Sequence, residues 1–446
     1  MKIKEIKDLL KEKPFGQEVE ICGWIKTARD QKRLVFIEVF DGSQFNALQV
    51  VAQEDCKGLP FEEIIKLKTG ASITVKGEFI KGERAPEIKA SCINLLADCP
   101  SDYPLQKKRH SLEFLRTIPH IRPRANTLNA VFRIRSTATF AVNSFFYERG
   151  FVLVHTPILT GVDAEGAGEL FRVRRGENDD YFGKETFLGV TGQLAVEPFA
   201  MAFRKVYTFG PIFRAEPSTT TVHASEFWMI EPEMAFLDLD ACLENIKDFL
   251  KYVTGFVFKE NLEEIEFLNK YVEPTLLDRL SGELKFERIS YTNAVETLKK
   301  EAKNADFDFP IEWGLELKSE HERYLCEKIF NRPVFVTDYP KELKAFYMRL
   351  NEDEATVACT DLLTPGIGEL VGGSQREERE NILRSQMAQK GLNPEIYEWY
   401  VDIRRFGGVV HSGYGVGFER LLMYLTGMKN IRDVIPYPRT YGQISF

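Results

Sequence analysis

Residues 207–236 read YTFGPIFRAEPSTTTVHASEFWMIEPEMAF, and they decide the fold. Val206 to Phe213 is β-branched and aromatic, punctuated by Gly210 and Pro211, which predicts a strand. Pro217 to Thr221 is a polar loop of one proline and four hydroxyl residues. Phe227 to Phe236 returns as a second strand, with Glu226 before it and Glu231 and Glu233 inside it. A charge on a buried strand is costly unless it is paired. Arg214, Glu216, Glu226, Glu231 and Glu233 therefore read as a site built on a sheet. A hairpin with one solvated face would place the same charges outward, and the local pattern leaves both readings open.

The wider wording carries a resemblance. FRAE, then a loop, then His223-x-x-Glu226-Phe227 and Glu231-x-Glu233 resembles motif 2 of the class II aminoacyl-tRNA synthetases. Arg420 lies in GYGVGFERLLMYLTG, which resembles motif 3, and Pro157 in FVLVHTPILT falls where motif 1 is expected. The three come in the family's order. FGPIFRAE, KAFYMRLN, PGIGELVGGSQREER and IRDVIPYPRT extend the likeness over nearly the whole chain, toward the asparaginyl members of the aspartyl/asparaginyl subgroup. The resemblance implies an α+β chain. An N-terminal OB-type β-barrel is followed by a class II catalytic domain on a mainly antiparallel sheet flanked by helices.

Composition sets bounds that agree. A chain of 446 residues is long for one core, so two or three domains are expected. The net charge of −8 excludes coating nucleic acid by bulk charge, and leaves room for a local basic face. The seven cysteines include no CxxC pair, so neither a disulfide framework nor a zinc knuckle is indicated. A reducing cytoplasm suits them. The N-terminal MKIKEIKDLLKEK has no apolar core, and no uncharged apolar run nears the ~20 residues of a membrane span. A cytoplasmic location without a membrane partner is expected.

Residues 1–100 read as a small β domain, with strands at Glu18–Lys26, Leu34–Phe40, Phe45–Ala52, Ser72–Phe79 and Glu87–Leu95, which suits an OB-type barrel. The resemblance makes it an anticodon-binding domain, with Arg29, Phe36 and Gln49 at the tRNA-contacting positions. A strand phenylalanine by itself reads as core. Residues 101–127 read as a hinge, rich in proline and carrying Lys107-Lys108-Arg109-His110, a stretch suited to a linker or a phosphate contact. Residues 128–446 are the expected catalytic domain, with a helical, charged insertion at about 240–330 to which no chemistry is assigned. Leu128 to Arg149 is the strongest helix, with Val131, Ile134, Phe140, Ala141, Phe145 and Phe146 at helical spacing. By the resemblance, the helix and strand of 128–160 build a homodimer interface.

Further assignments follow from the resemblance. Glu165 in GVDAEGAGELF and Gln193 in VTGQL match readers of the amino acid's α-amino group. Asp338 to Arg349 and Val357 to Val371 read as strands near the substrate. Asp361 and Glu369 match holders of Mg²⁺ and the ATP phosphates, and Mg²⁺ needs only one or two carboxylates besides the phosphates. Gly373 lets backbone approach a ligand. Arg376 opens a predicted charged helix, Gln375 to Lys390, and matches the holder of the amino-acid side chain. Arg214 is expected on the α-phosphate and Arg420 on the γ-phosphate. Phe227 is expected under adenine, His223 at the phosphates or adenine, and Glu216 at the asparagine amide.

The implied reaction joins L-asparagine to tRNA(Asn) in two steps: ATP and asparagine give an adenylate, and a ribose hydroxyl of tRNA then takes the acyl group. Such chemistry needs two anions held together and the growing charge neutralised. The family's loop usually carries Arg-His where this chain has Val222-His223. An aspartyl-type enzyme would show a lysine soon after the TGQ segment, but none occurs before Lys205. A non-catalytic tRNA-binding paralogue and a tRNA-independent amide ligase are the other readings open at this point.

Overall fold

The computed structural model describes residues 2–162, 170–176, 180–303, 305 and 307–444. The chain divides into two compact units, Met1–Ala130 and Val131–Phe446.

The first unit is built on five strands, Glu18–Gln31, Leu34–Phe40, Leu48–Gln53, Ser72–Lys81 and Pro86–Ala97. A parallel pairing of Leu48–Gln53 with Pro86–Ala97 closes them into a barrel. Strict alternation fixes which side chains face in. Val35, Ile37 and Val39 are buried in the core, so Phe36 and Glu38 between them point outward. Phe36 is thus on the barrel surface and not in its core. It stands opposite Arg29 on the neighbouring strand, while Glu38 stands between Thr27 and Gln49. The Gln49 amide donates to Glu87 Oε2 at 2.6 Å. Residues 101–127, read as a hinge, contain a helix over Leu112–Thr117 capped by Ser111 and a 3-10 turn over Arg122–Arg124. Leu105, Leu115 and Arg122 are buried there.

The second unit is organised on an eight-stranded sheet. Its central pairings are antiparallel, and only the outermost pair at each edge is parallel. Lys205–Phe213 pairs with Glu226–Ala235, and this second strand pairs with the glycine-rich His411–Gly417. Thr356–Thr364 and Gly368–Gln375 continue the sheet. The helix Asn126–Glu148 lays Phe145 and Phe146 against Phe249 of the helix Leu239–Glu260, and Phe146 stacks on Tyr207 at 4.4 Å. On the same helix, Asn126–Glu148, Phe140 is 63% exposed and Tyr147 is 82% exposed.

Three local expectations need correction. Asp338–Arg349 is not one strand: Val334–Pro340 ends in a 3-10 turn at Lys341–Leu343, after Asp338 takes a φ of 60° and the ladder slips. The charged helix runs over Glu380–Gln389, because Gln375 still belongs to a strand. The segment of about 240–330 is not helical throughout, since Glu287–Ser290 adds an edge strand to the main sheet. Among the described residues, no helix is long and apolar enough to cross a membrane.

Candidate active site

A cleft of roughly 630 Å³ is lined by the two strands of the opening stretch, the glycine strand and their neighbours. Its size suits a nucleotide with a small second substrate. Phe227, Met229 and Glu231 line it because alternate residues of one strand share a face. Arg214 closes the strand pair: its backbone N–H donates to Ser225 O at 3.0 Å, the last rung before the loop. The Arg214 guanidinium lies 5.7 Å from the Phe227 ring centre. Such an arrangement leaves an aromatic face beside a cation, which fits a base and its phosphate.

Glu216 and His223 come from the loop and also line the cleft. His223 shares a hydrogen bond with Thr220. Burial, and after it the charge of Arg420, pushes the imidazole below its usual range. The loop is also held where Ile431 N donates to Thr221 O at 2.8 Å and where Ser225 N donates to Arg439 O at 2.8 Å.

Arg420 sits in the first turn of the helix Phe418–Thr426, directly after the glycine strand. Its Nη1 donates to Glu369 O at 2.8 Å and meets Glu369 Oε2 at 3.3 Å. Burial opposes the Glu369 charge, but Arg420, Lys344 and Arg214 outweigh it and hold the carboxyl below its usual range. Glu419, next to Arg420, is buried in the cleft wall. It accepts from Arg135 Nη2 at 2.9 Å and from Trp228 N at 3.0 Å.

Asp361 accepts from Lys344 Nζ at 2.6 Å. Burial works against the ammonium, yet Asp361 holds it above its usual range. The sequence reading had given Asp361 no protein partner. The residues fit a divalent cation on one further observation. A Cβ at Gly372 would lie 3.3 Å from Glu369 Oε1 and 3.6 Å from Asp361 Oδ1, so the missing side chain leaves an open point between two carboxylates. Among the described residues there is no cluster of three or more potential ligands, which leaves the remaining positions to phosphates and water.

Arg376 is buried and held by both arms. Nε donates to Glu233 Oε2 at 3.1 Å, Nη2 to Glu233 Oε1, and Nη1 to Ser374 Oγ at 2.7 Å. Gly373 lines the cleft, and its lack of a side chain is required by Tyr414 Cβ, 2.8 Å from where a Cβ would be. Gln193, 5% exposed, opens the helix Gln193–Phe203 at the cleft wall. Glu165 lies outside the described residues.

Thus Arg214, Glu216, His223, Phe227, Gln193, Asp361, Glu369, Gly373, Arg376 and Arg420 all face one cleft. Arg29, Phe36 and Gln49 lie together on the barrel surface in the other unit. Three residues escaped the sequence reading as site members. Glu231 was seen as a charge on the strand and given no role; it is buried in the cleft wall and takes hydrogen bonds from the Thr191 hydroxyl and from Gly192 N, at 2.9 Å for the latter. Lys344 pairs with Asp361. Glu322 stands behind Glu369 and accepts its N–H at 3.3 Å. Burial first, then Glu369 and Asp361, pushes Glu322 up to about 7. Its signal was hidden because it comes from the insertion.

Comparisons with known proteins agree with this geometry. Residues 111–441 match the family "tRNA synthetases class II (D, K and N)", and residues 19–96 match "OB-fold nucleic acid binding domain". The chain is 52% identical to the asparagine-tRNA ligase of Desulfitobacterium hafniense, with 99% of each chain covered. It is 53% identical to that of Bacillus anthracis over 98% of this chain and 97% of the relative. Among solved structures, asparaginyl-tRNA synthetase from Pyrococcus horikoshii complexed with asparaginyl-adenylate superposes with a TM-score of 0.89 at 30% identity, covering 100% of this chain and 99% of that one.

Proposed function

The chain belongs to the class II tRNA synthetases, among the asparagine-tRNA ligases, and from that premise we propose how its residues divide the work of joining L-asparagine to tRNA(Asn) through an asparaginyl-adenylate. The observation that carries the assignment is the presence, in one cleft, of two arginines, Arg214 and Arg420, with an aromatic face at Phe227.

ATP is the nucleotide substrate. Its adenine lies against Phe227, within reach of the loop residues Glu216 and His223. Arg214 holds the α-phosphate and the attacking carboxylate of asparagine, and Arg420 holds the γ-phosphate. The carboxylate oxygen attacks the α-phosphorus and pyrophosphate leaves. No side chain is needed as nucleophile, because alignment and charge neutralisation lower the barrier. An uncharged His223 suits this role, since it can contact phosphate or base without repelling Arg214 and Arg420. Asp361 and Glu369 would hold Mg²⁺, which when bound supplies positive charge to the phosphates.

Asparagine lies deeper in the cleft. Gln193, with Glu165 in the family's position, takes its ammonium. Arg376, beside Gly373, takes the side-chain carbonyl, and Glu216 accepts from the amide. Glu231 presents a second carboxylate in the same wall. An aspartate side chain would bring like charge to both acids, which discriminates by repulsion. Anticodon reading falls to Arg29, Phe36 and Gln49 on the domain of residues 1–100, with 101–127 as the link and 128–446 as the catalytic domain.

A homodimer through residues 128–160 is supported by the exposure of Phe140 and Tyr147 on the first helix of that unit. The cytoplasm is the expected compartment, in keeping with seven free cysteines. The test is ATP–pyrophosphate exchange without tRNA. Exchange with asparagine and none with aspartate is expected; exchange with aspartate would move the chain to the aspartyl group.

A further inference from the structure

Gln193 carries an unusual pair of amide atoms. Its Nε2 donates to Glu197 Oε2 at 2.5 Å, one helical turn further on. Among the described residues, its Oε1 is buried without a hydrogen-bond partner. A buried acceptor left unmet is costly, so an empty acceptor in a ligand cleft marks where a donor is to come. The two atoms of an amide cannot be chosen independently. Whatever fixes the nitrogen also aims the oxygen.

Glu197 is fully buried and its four acceptor positions are filled. Oε2 takes the Gln193 amide and the Tyr400 hydroxyl, the latter at 2.6 Å. Oε1 meets Arg404 Nη2 at 2.6 Å and His411 Nε2 at 2.8 Å. Burial would raise the Glu197 carboxyl, but Arg404 and His411 hold it well below the usual range. A permanent carboxylate offers only acceptors, so Gln193 must present its NH₂ to Glu197 and its oxygen elsewhere. Arg404 is itself fixed, with Nε donating to Glu377 O at 2.8 Å. Tyr400 and Arg404 belong to the helix Pro394–Arg405, far away in sequence.

We propose that Glu197 is a positioning residue for amino-acid recognition: by holding the Gln193 NH₂ inward, it turns the Gln193 carbonyl toward the cleft to accept the ammonium of L-asparagine. This rests on the reading of Gln193 as an ammonium contact. The Glu197→Gln variant tests the idea by inverting the polarity. The introduced amide must give its oxygen to Arg404 and His411, which leaves its NH₂ facing Gln193. Gln193 then rotates, and its own NH₂ points at the ammonium.

The experiment measures equilibrium binding of L-asparagine and of succinamic acid, which lacks only the ammonium, to the full-length wild type, Gln193→Ala, Glu197→Gln, the double variant and Tyr400→Phe. Glu197→Gln is expected to weaken asparagine about tenfold or more, the loss of one hydrogen bond to a charged group, and to leave succinamic acid within about twofold. The double variant should be no worse than Gln193→Ala, because both changes remove one contact. If Glu197→Gln does not fold, Tyr400→Phe carries the test, with a smaller loss confined to asparagine. Equal loss of both ligands, or loss of neither, overturns the positioning role. If Gln193→Ala itself leaves asparagine binding unchanged, the underlying reading of Gln193 is what fails.

Discussion

Lys344 Nζ lies 2.6 Å from Asp361 Oδ2, and both side chains are largely withdrawn from solvent. A cation just after the turn Lys341–Leu343 and an anion within the strand Thr356–Thr364 are thus joined inside the cleft. Removing one partner of a buried pair strands the other charge. Lys344→Met is expected to cost about 3 kcal/mol, and Asp361→Asn a similar amount. Together they should cost less than the sum by about 1–3 kcal/mol. Denaturant unfolding of the two single variants and the double variant measures this, and strict additivity would refute the coupling.

In the proposed mechanism Arg214 and Arg420 contact charge that develops during the reaction, and neither anchors the core. Arg214→Ala and Arg420→Ala should each lower asparagine-dependent pyrophosphate exchange by about 10²–10³-fold. Melting temperatures should stay near the wild-type value. A large fall in melting temperature would instead assign these arginines to structure.

The imidazole of His223 is held below its usual value of 6.5 by burial and by Arg420. Between its folded value and 6.5 the unfolded chain binds more protons, so this group makes stability rise with pH across that window. Its contribution is lost as pH falls through the window. NMR titration of His223 should show the low midpoint, and Arg420→Ala should move the midpoint upward. A midpoint that ignores Arg420 would separate the loop from the phosphate site.

Gly372 and Gly373 are adjacent but predict opposite phenotypes. Gly372→Ala places a methyl 3.3 Å from Glu369 Oε1, a contact a side chain can relax. It should fold normally and raise the Mg²⁺ concentration needed for half-maximal exchange. Gly373→Ala drives a methyl to 2.8 Å from Tyr414 Cβ and 3.1 Å from Gly413 O, at the neighbouring strand's backbone. It should cost about 1–3 kcal/mol of stability. Equal effects on metal dependence would remove the argument for a cation between the two carboxylates.

On the barrel, Phe36→Ala should raise the KM for tRNA by about tenfold or more, the usual worth of one stacked base. Arg29→Ala should act in the same direction. Pyrophosphate exchange without tRNA should be unchanged in both, because adenylation needs no anticodon. Equal loss in exchange would place the defect in folding.

Much of this was legible in the sequence. The strand pair around Arg214, the closed barrel and the helix ahead of Gly150 each advertise themselves by local periodicity. The ten cleft residues within the described chain were named from motif wording. What escaped depends on contacts between distant segments. Glu197 meets Arg404 and His411 only after folding. Glu233 grips Arg376 across 143 residues, so its strand charge could be seen but its partner could not. Phe36 was placed at a tRNA contact only by the resemblance, because a strand aromatic by itself reads as core, and it is the register with Val35 and Ile37 that turns it outward. The Asp338–Arg349 segment looked extended because a positive φ at one aspartate leaves no trace in composition.

The rung between Arg214 and Ser225, the bond from Ser225 N to Arg439 O at the loop's base and the bond from Ile431 N to Thr221 O near its tip set the order in which the site can move. The ladder beneath the loop does not unzip when the loop lifts, since its end is already tied. Breaking the Thr221 contact costs about 1 kcal/mol, the net worth of one exposed hydrogen bond. The loop therefore behaves as a lightly latched flap over a fixed arginine. On the proposed roles, nucleotide can come and go at thermal cost while the phosphate grip stays set, so turnover speed and substrate selectivity can be tuned by separate substitutions.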